Sequence, residues 1–325
     1  MANESTGTGN GVRFITVDDD QGGQRIDNFL RTALKGAPKS LIYRVLRKGE
    51  VRVNKKRTKP DYKLQPGDLI RVPPVRLPEK GDAPVVGEQL LEHLERAVLY
   101  EDDALMIINK PSGLAVHGGS GVNLGLIEAL RQLRPQQRFL ELVHRLDRDT
   151  SGCIMIAKKR SMLRYLHEVL RERRVHKIYH ALVQGRWNSR DKRIDVPLLR
   201  GELKSGERIV KVDQAGKASQ TDFKVLRRFG NLATMVEARP KTGRTHQIRV
   251  HTLFTGHPII GDTKYGIDEV NQEFRGYGFR RLMLHAAALE LKLADGTALK
   301  VEAPMDADIE RALEKLLNNA DQTQD

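Results

Sequence analysis

Three segments set ionisable side chains beside Gly, Ser or Thr at the ends of strand-like runs: NKPSGLAVHGG (109–119), HRLDRDTSG (144–152) and TGRTHQIRVH (242–251). Loops held by a rigid scaffold are where chemistry is usually carried. The middle segment gathers His144, Arg145, Asp147, Arg148 and Asp149 between two apolar runs, 139–143 and 153–157. In an extended chain Asp147 and Asp149 share a face about 6–7 Å apart. That is near the separation of the paired carboxylates that cleave glycosidic bonds, so spacing alone leaves a water-using glycosylase open. The flanking Arg145 and Arg148 favour an ionised carboxylate, which suits a nucleophile or base better than a general acid. Taken singly, either aspartate could instead cap a turn or pair an arginine.

The other two segments have plainer readings beside the functional ones. NKPSG reads as a Pro-Ser-Gly turn with a solvated Lys110. TGRTHQIRVH reads as a strand that places Arg244, His246, Ile248 and Val250 on one face and Thr245, Gln247, Arg249 and His251 on the other. Both faces are too mixed for an ordinary amphipathic strand, so some of these charges must be paired or functional. Ten histidines invite a metal. Yet H-E-x-x-H and a Cys pair are absent, and His246 and His251 fall on opposite faces of the expected strand, so no metal is expected. Ser151 is not in a G-x-S-x-G elbow, against a serine hydrolase. With no P-loop and no G-x-G-x-x-G, no nucleotide cofactor is expected either.

The elements that must position these residues read as α+β. From about residue 98 onward strand-like runs dominate (LMIINK, FLELV, CIMIAKK, IYHALVQG, ATMVEARP, ALELKL). They are joined by few helices, notably SMLRYLHEVLRERR with Ser161 as cap and a terminal DIERALEKLL. Strict βαβ alternation is missing, which predicts a mostly antiparallel sheet. Residues 267–279 read as a surface loop.

Ahead of this region, Ile26, Phe29, Leu30, Ala33 and Leu34 recur at helical spacing. A second helix carries Leu41, Ile42, Val45 and Leu46, with Ser40 able to cap it and Gly49 placed to end it. Strands EVRVN and KLQPGDLIRV follow, with Lys55, Lys56, Arg57 and Lys59 crowding the loop between them. The formal charge is +14, and residues 21–80 alone hold 16 Lys and Arg against 5 Asp and Glu, which marks a polyanion-binding module. The expected organisation is a polar, disordered tail with a short strand over 1–20, a small basic domain over 21–85, a linker over 86–97 and a main domain over 98–325. Cys153, the single cysteine, lies in an apolar run and reads as packing, which fits a reducing compartment. No run approaches the ~18 apolar residues of a membrane span, so a cytoplasmic protein with no membrane association is expected.

The ordered motifs NKPSGLAVH, HRLDRDTSG, HKIYHALV and TGRTHQIRVH resemble those of the RluA family of pseudouridine synthases, across nearly the whole chain. Residues 24–85, roughly, resemble the small RNA-binding domain found in a small-subunit ribosomal protein and in many RNA-modifying enzymes. Together these imply an α+β fold: a mixed, mostly antiparallel sheet with a central RNA cleft, preceded by an α-α-β RNA-binding domain. The wording around HRLDRDTSG and APKSLIYRVLRKGEVRVNKK implies large-subunit (23S) ribosomal RNA or its precursor as the partner. The chain would isomerise uridine to pseudouridine at several sites, as a monomer, with no cofactor and no obligate protein partner.

The same resemblance implies Asp147 as the catalytic carboxylate, Tyr179 as the ring that packs on the uracil, and Arg249 as the salt-bridge partner of the aspartate. Arg145 would help hold the RNA with the uridine extruded. Further RNA contacts are expected from Arg44, Arg47, Lys55, Lys56, Arg57, Lys59, Arg244 and His246. A noncatalytic RNA-binding assembly factor, or a synthase with another RNA target, is the alternative reading.

Overall fold

A computed structural model describes residues 11–34, 36–75, 86–118, 124–190, 192–202 and 208–322. The chain divides into two compact units, Met1–Val85 and Val86–Asp325. Most of the expected tail (1–10) and the Pro-rich stretch 76–85 lie outside the described residues.

In the first unit, helices Ile26–Ala33 and Lys39–Arg47 turn their apolar stripes onto a four-stranded antiparallel sheet. Ile26, Phe29, Leu30, Ile42, Val45 and Leu46 are buried there with Val53, Ile70 and Val72. Asp27 fastens the helices to each other: it accepts from Arg25 (2.7 Å) and from the Tyr43 hydroxyl (2.9 Å). The hydrogen bond to Arg25, above all, holds its carboxyl below the usual range. Two expectations need correction. Ser40 lies inside the second helix, which starts after Pro38 without a side-chain cap. The short strand expected with the tail, Arg13–Thr16, is an edge strand of this unit's sheet, paired with Leu69–Val72. The basic loop is a two-residue hairpin whose central residues Asn54 and Lys55 both adopt left-handed φ (48° and 69°), as a tight type I′ connection requires.

The second unit is built on a ten-stranded sheet. Its main path runs Arg193–Asp195, Gln220–Phe229, Ala233–Pro240, His176–Gln184, Leu284–Lys292, Ser151–Ala157, Leu105–Lys110, Val98–Glu101. Only the pairing of Leu284–Lys292 with Ser151–Ala157 is parallel, giving the mixed, mostly antiparallel sheet. The runs LMIINK and CIMIA lack alternation because both faces are covered. Met106, Ile108, Ile154 and Ile156 meet the helix Leu126–Leu133 on one side. Leu105, Ile107, Cys153 and Met155 meet the helix Arg160–Arg171 on the other. Each such side chain contributes about 1.5–3 kcal/mol on burial.

Three boundaries differ from expectation here as well. Residues expected as linker form the helix Glu88–Arg96, with Leu94 fully buried, so this segment belongs to the second unit's core. The expected surface loop is the helix Asp268–Tyr277, with Phe274 and Phe279 buried on either side of its C-terminus. Lys159, not Ser161, stands at the cap of Arg160–Arg171. Among the described residues no helix is long and apolar enough to cross a membrane.

Candidate active site

Asp147 sits in the tight turn that leads into the central strand Ser151–Ala157, with Thr150 N–H donating back to the Asp147 carbonyl (3.2 Å). The turn is pinned from behind by NKPSG. Lys110, expected to be solvated, is fully buried. Its ammonium donates to the carbonyls of Pro111 (2.8 Å), Leu114 (2.9 Å) and Arg148 (2.9 Å). Ser112 Oγ donates to the Asp149 carbonyl (2.7 Å). Burial pushes the Lys110 ammonium down to about 7, against the pull of Asp149 and Asp147. Its three acceptors, however, each need an N–H, and only the ammonium supplies three. Gly152, at φ +106°, completes the turn where a Cβ would fall 2.3 Å from the Ala286 carbonyl, so only glycine lets the two parallel strands meet there.

The expected strand through TGRTHQIRVH is instead the helix Gln247–Phe254, entered through His246 in a left-handed conformation (φ +53°). The alternation misled because residues 247–252 are all buried, which leaves the helix no polar stripe. Its entry is held by the Gln247 amide, whose Oε1 accepts from Thr242 Oγ1 (2.7 Å) and Arg244 N–H (3.0 Å). On a helix, positions three apart are neighbours. His246 and Arg249 therefore converge on one carboxylate, with His246 Nε2 3.8 Å and an Arg249 amino group 3.7 Å from Asp147 Oδ2.

Those distances are ion-pair contacts rather than hydrogen bonds. Arg249 makes its close pair elsewhere, through two 2.7 Å bonds to the fully buried Asp262. Asp262 also accepts from the Lys264 and Tyr265 N–H groups, and Gly261 before it stands where a Cβ would meet the Arg281 carbonyl at 2.0 Å. Arg249 is thus a fixed cation aimed at Asp147. The Tyr265 hydroxyl takes the Val210 N–H (3.0 Å) and shares a 2.7 Å hydrogen bond with His246 Nδ1, which fixes the ring with Nε2 toward Asp147.

The aspartate opens into a cavity of about 260 Å³ that is also lined by Arg145, Lys177, Tyr179, Thr242 and Arg244. Tyr179, on the strand His176–Gln184, is half-buried, and burial and then the charge of Asp147 raise its phenol above the ordinary value. Its hydroxyl has no hydrogen-bond partner among the described residues and is open to the cavity.

Among the expected site residues, Asp147, Tyr179, Arg249, Arg145, Arg244 and His246 come together here. Asp149 does not: its carboxylate turns outward to Arg148 (3.1 Å), which overturns the paired-carboxylate geometry. Arg148 is likewise lost as a neighbour of Asp147. His144 is a structural neutral imidazole, pushed down to about 3 by burial, whose Nε2 accepts from Met155 N–H. Arg44, Arg47, Lys55, Lys56, Arg57 and Lys59 are exposed on the first unit, Arg57 folding back onto the Lys48 carbonyl. Lys177, Asp262 and Tyr265 went unread in the sequence. Lys177 stands two residues before Tyr179, and Asp262 follows a glycine, the only local cues. No group of three His, Cys, Asp or Glu side chains among the described residues could hold a metal ion.

Two family models match the chain: RNA pseudouridylate synthase over residues 104–253 and the S4 domain over residues 24–70. The ribosomal large subunit pseudouridine synthase C of Salmonella typhi is 56% identical over 313 residues, covering 95% of this chain and 98% of that protein. The enzyme of the same name from Escherichia coli (strain K12) is 56% identical over 94% of this chain and 97% of its own length. Among solved structures, human RNA pseudouridylate synthase domain containing 4 superposes with a TM-score of 0.58. It is 27% identical, over 70% of this chain and 95% of that one.

Proposed function

The chain belongs to the RNA pseudouridylate synthase family, and we propose that it converts uridines of large-subunit (23S) ribosomal RNA to pseudouridine with Asp147 as the catalytic carboxylate. The observation that carries the assignment is the single cavity-facing carboxylate, flanked by Arg249 and His246 and set in a pocket shared with Tyr179. The reaction breaks the bond from ribose C1′ to uracil N1, turns the base, joins C5 to C1′ and moves the C5 proton to N1. Substrate and product are isomers, so nothing is consumed.

A base inside a duplex must first leave the stack, at a cost of a few kcal/mol. Arg145, exposed at the cavity mouth, helps hold the RNA with the uridine extruded. Asp147 then acts on the ribose as nucleophile at C1′ or as base at C2′. Arg249, locked by Asp262, holds that carboxylate in place. The raised phenol of Tyr179 rests protonated and is foremost a stacking platform, with its hydroxyl free to relay the C5 proton.

The exposed cations Arg44, Arg47, Lys55, Lys56, Arg57 and Lys59 of the S4-like unit supply phosphate contacts that choose the RNA, and Arg244 and His246 line its path at the cavity. The protein works in the cytoplasm as a monomer without an obligate protein partner. Chromatography of nucleosides from protein-free large-subunit ribosomal RNA transcripts incubated with the enzyme tests this. Pseudouridine in an otherwise intact RNA is expected. Abasic residues would mark a glycosylase, and unchanged nucleosides a binding factor; either refutes the proposal.

A further inference from the structure

A second cavity, of about 460 Å³, adjoins the first across Lys177, Pro240, Thr242, Gly243 and Arg244, which line both. Its outer wall carries Arg171 and Arg173, at the end of the helix Arg160–Arg171, and its chemistry is that of an anion site. Glu290 is the one carboxylate among the lining residues. Arg239 and Lys241 are spoken for, by Glu237 (2.7 Å) and Asp222 (3.3 Å). Arg244 donates its Nε–H to the Ala218 carbonyl (3.1 Å), a neutral partner. Arg171, Arg173 and Lys177 form no ion pair and no side-chain hydrogen bond among the described residues.

Two of these three occupy costly positions. Arg173 holds a left-handed backbone (φ +60°) just past a helix end, where glycine is the usual occupant. Lys177 is half-buried with nothing to offset the desolvation that lowers its ammonium. Its Nζ lies beneath Gly243, 3.8 Å from where a Cβ would stand, at the threshold between the two cavities. An unpaired ammonium kept in such a place is stabilised only when an anion arrives.

We infer that the second cavity is a phosphodiester groove that receives the RNA strand on one side of the target uridine, with Lys177 holding the phosphate nearest the base-binding cavity and Arg171 and Arg173 those further out. The uridine rests on the proposed function; the groove's affinity for a polyanionic strand does not. It is therefore tested without turnover, by fluorescence anisotropy of full-length protein with a labelled dodecauridylate across a salt series. Each lost single-strand phosphate contact lowers the slope of log affinity against log salt by about 0.7. The double variant Arg171→Ala/Arg173→Ala loses about 1.4 in slope, and Lys177→Met about 0.7, restored by Lys177→Arg. Lys315→Met, whose ammonium lies on the Gly276 carbonyl outside the groove, leaves the slope unchanged.

Arg173→Gly separates binding from architecture. It relieves the left-handed arginine, so its melting temperature holds or rises while its slope falls. A slope unchanged in Arg173→Gly and in the folded double variant overturns the groove. Failure of wild-type enzyme to form pseudouridine in ribosomal RNA transcripts would instead overturn the proposed function and leave these slopes standing.

Discussion

Replacing Asp262 by Asn tests whether Asp147, the proposed catalytic carboxylate, is held from a distance. The Asp262 carboxylate is fully buried and accepts two bonds from Arg249 and one each from the N–H groups of Lys264 and Tyr265. Both backbone bonds and one Arg249 bond fall on Oδ1, which the asparagine oxygen can reproduce. Lost are the charge and the bond at Oδ2, where an amide NH₂ would face Arg249 Nε–H, donor against donor. A hydrogen bond to a charged group contributes about 1.5–3 kcal/mol, and breaking a buried ion pair costs about 3–5. Because most of the geometry survives, about 3 kcal/mol is expected.

For a unit of this size that lowers the melting temperature by roughly 6–12 °C, at 2–4 °C per kcal/mol. Trp187, the single tryptophan, is 2% exposed in the same unit's core, so its fluorescence reports the relevant unfolding. Arg249, released, would close the present 3.7 Å gap to Asp147 and draw that carboxylate into a tight pair. Single-turnover pseudouridine formation should then slow about 10²-fold, the scale of a misplaced reacting group. A variant that melts within 2 °C of wild type (a change of under about 1 kcal/mol) and turns over normally would refute the claim that Asp262 fixes Arg249 for catalysis.

Four other outcomes are expected. Asp147→Asn removes the cavity-facing charge and should abolish detectable pseudouridine, a loss on the order of 10³-fold or more, with RNA affinity kept. Asp149→Asn gives up an outward pair with Arg148 and should stay within about threefold, since such exposed pairs contribute under about 1 kcal/mol; the reverse ranking in single-turnover assays would reassign the catalytic carboxylate. Tyr179→Phe keeps stacking worth about 1–3 kcal/mol per base, so binding should survive, and undiminished turnover would remove the hydroxyl from proton transfer. His251 is held neutral, lowered to about 4 by burial, against 6.5 unfolded. The unfolded chain thus binds the extra proton between those values, and the stabilisation present above pH 6.5 is lost as pH falls toward 4. Urea melts from pH 6.5 to 4.5 should show His251→Asn losing about 1.4 kcal/mol per pH unit less than wild type; equal slopes would mean that His251 is not buried neutral.

Much of the fold could be read from the sequence, because the rules that built it are local. Helical spacing in residues 26–34 states a helix and its buried side, and the apolar runs at 105–110 and 151–157 state strands covered on both faces. What misled were segments whose environment comes from elsewhere in the chain. Residues 247–252 alternate only by accident, since that stretch of helix is buried all round and free of any stripe, and its polar side chains find partners in Ser219, Thr221 and Asp262, each at least 13 residues away in sequence. Lys110 read as solvated because nothing adjacent reveals that a carbonyl 38 residues away, at Arg148, will accept a hydrogen bond from it.

The site follows the same division. Asp147 and Tyr179 lie in motifs that resemblance could match, whereas Asp262, which sets the angle of Arg249, carries no motif of its own. The pairing of Asp147 with Asp149 failed for a related reason: an i, i+2 argument presumes an extended chain, and Thr150 closes a turn across that pair. Once the turn forms, the second aspartate must face outward. The partner that the chemistry needs is then supplied from across the cavity, by a helix that the linear pattern had drawn as a strand.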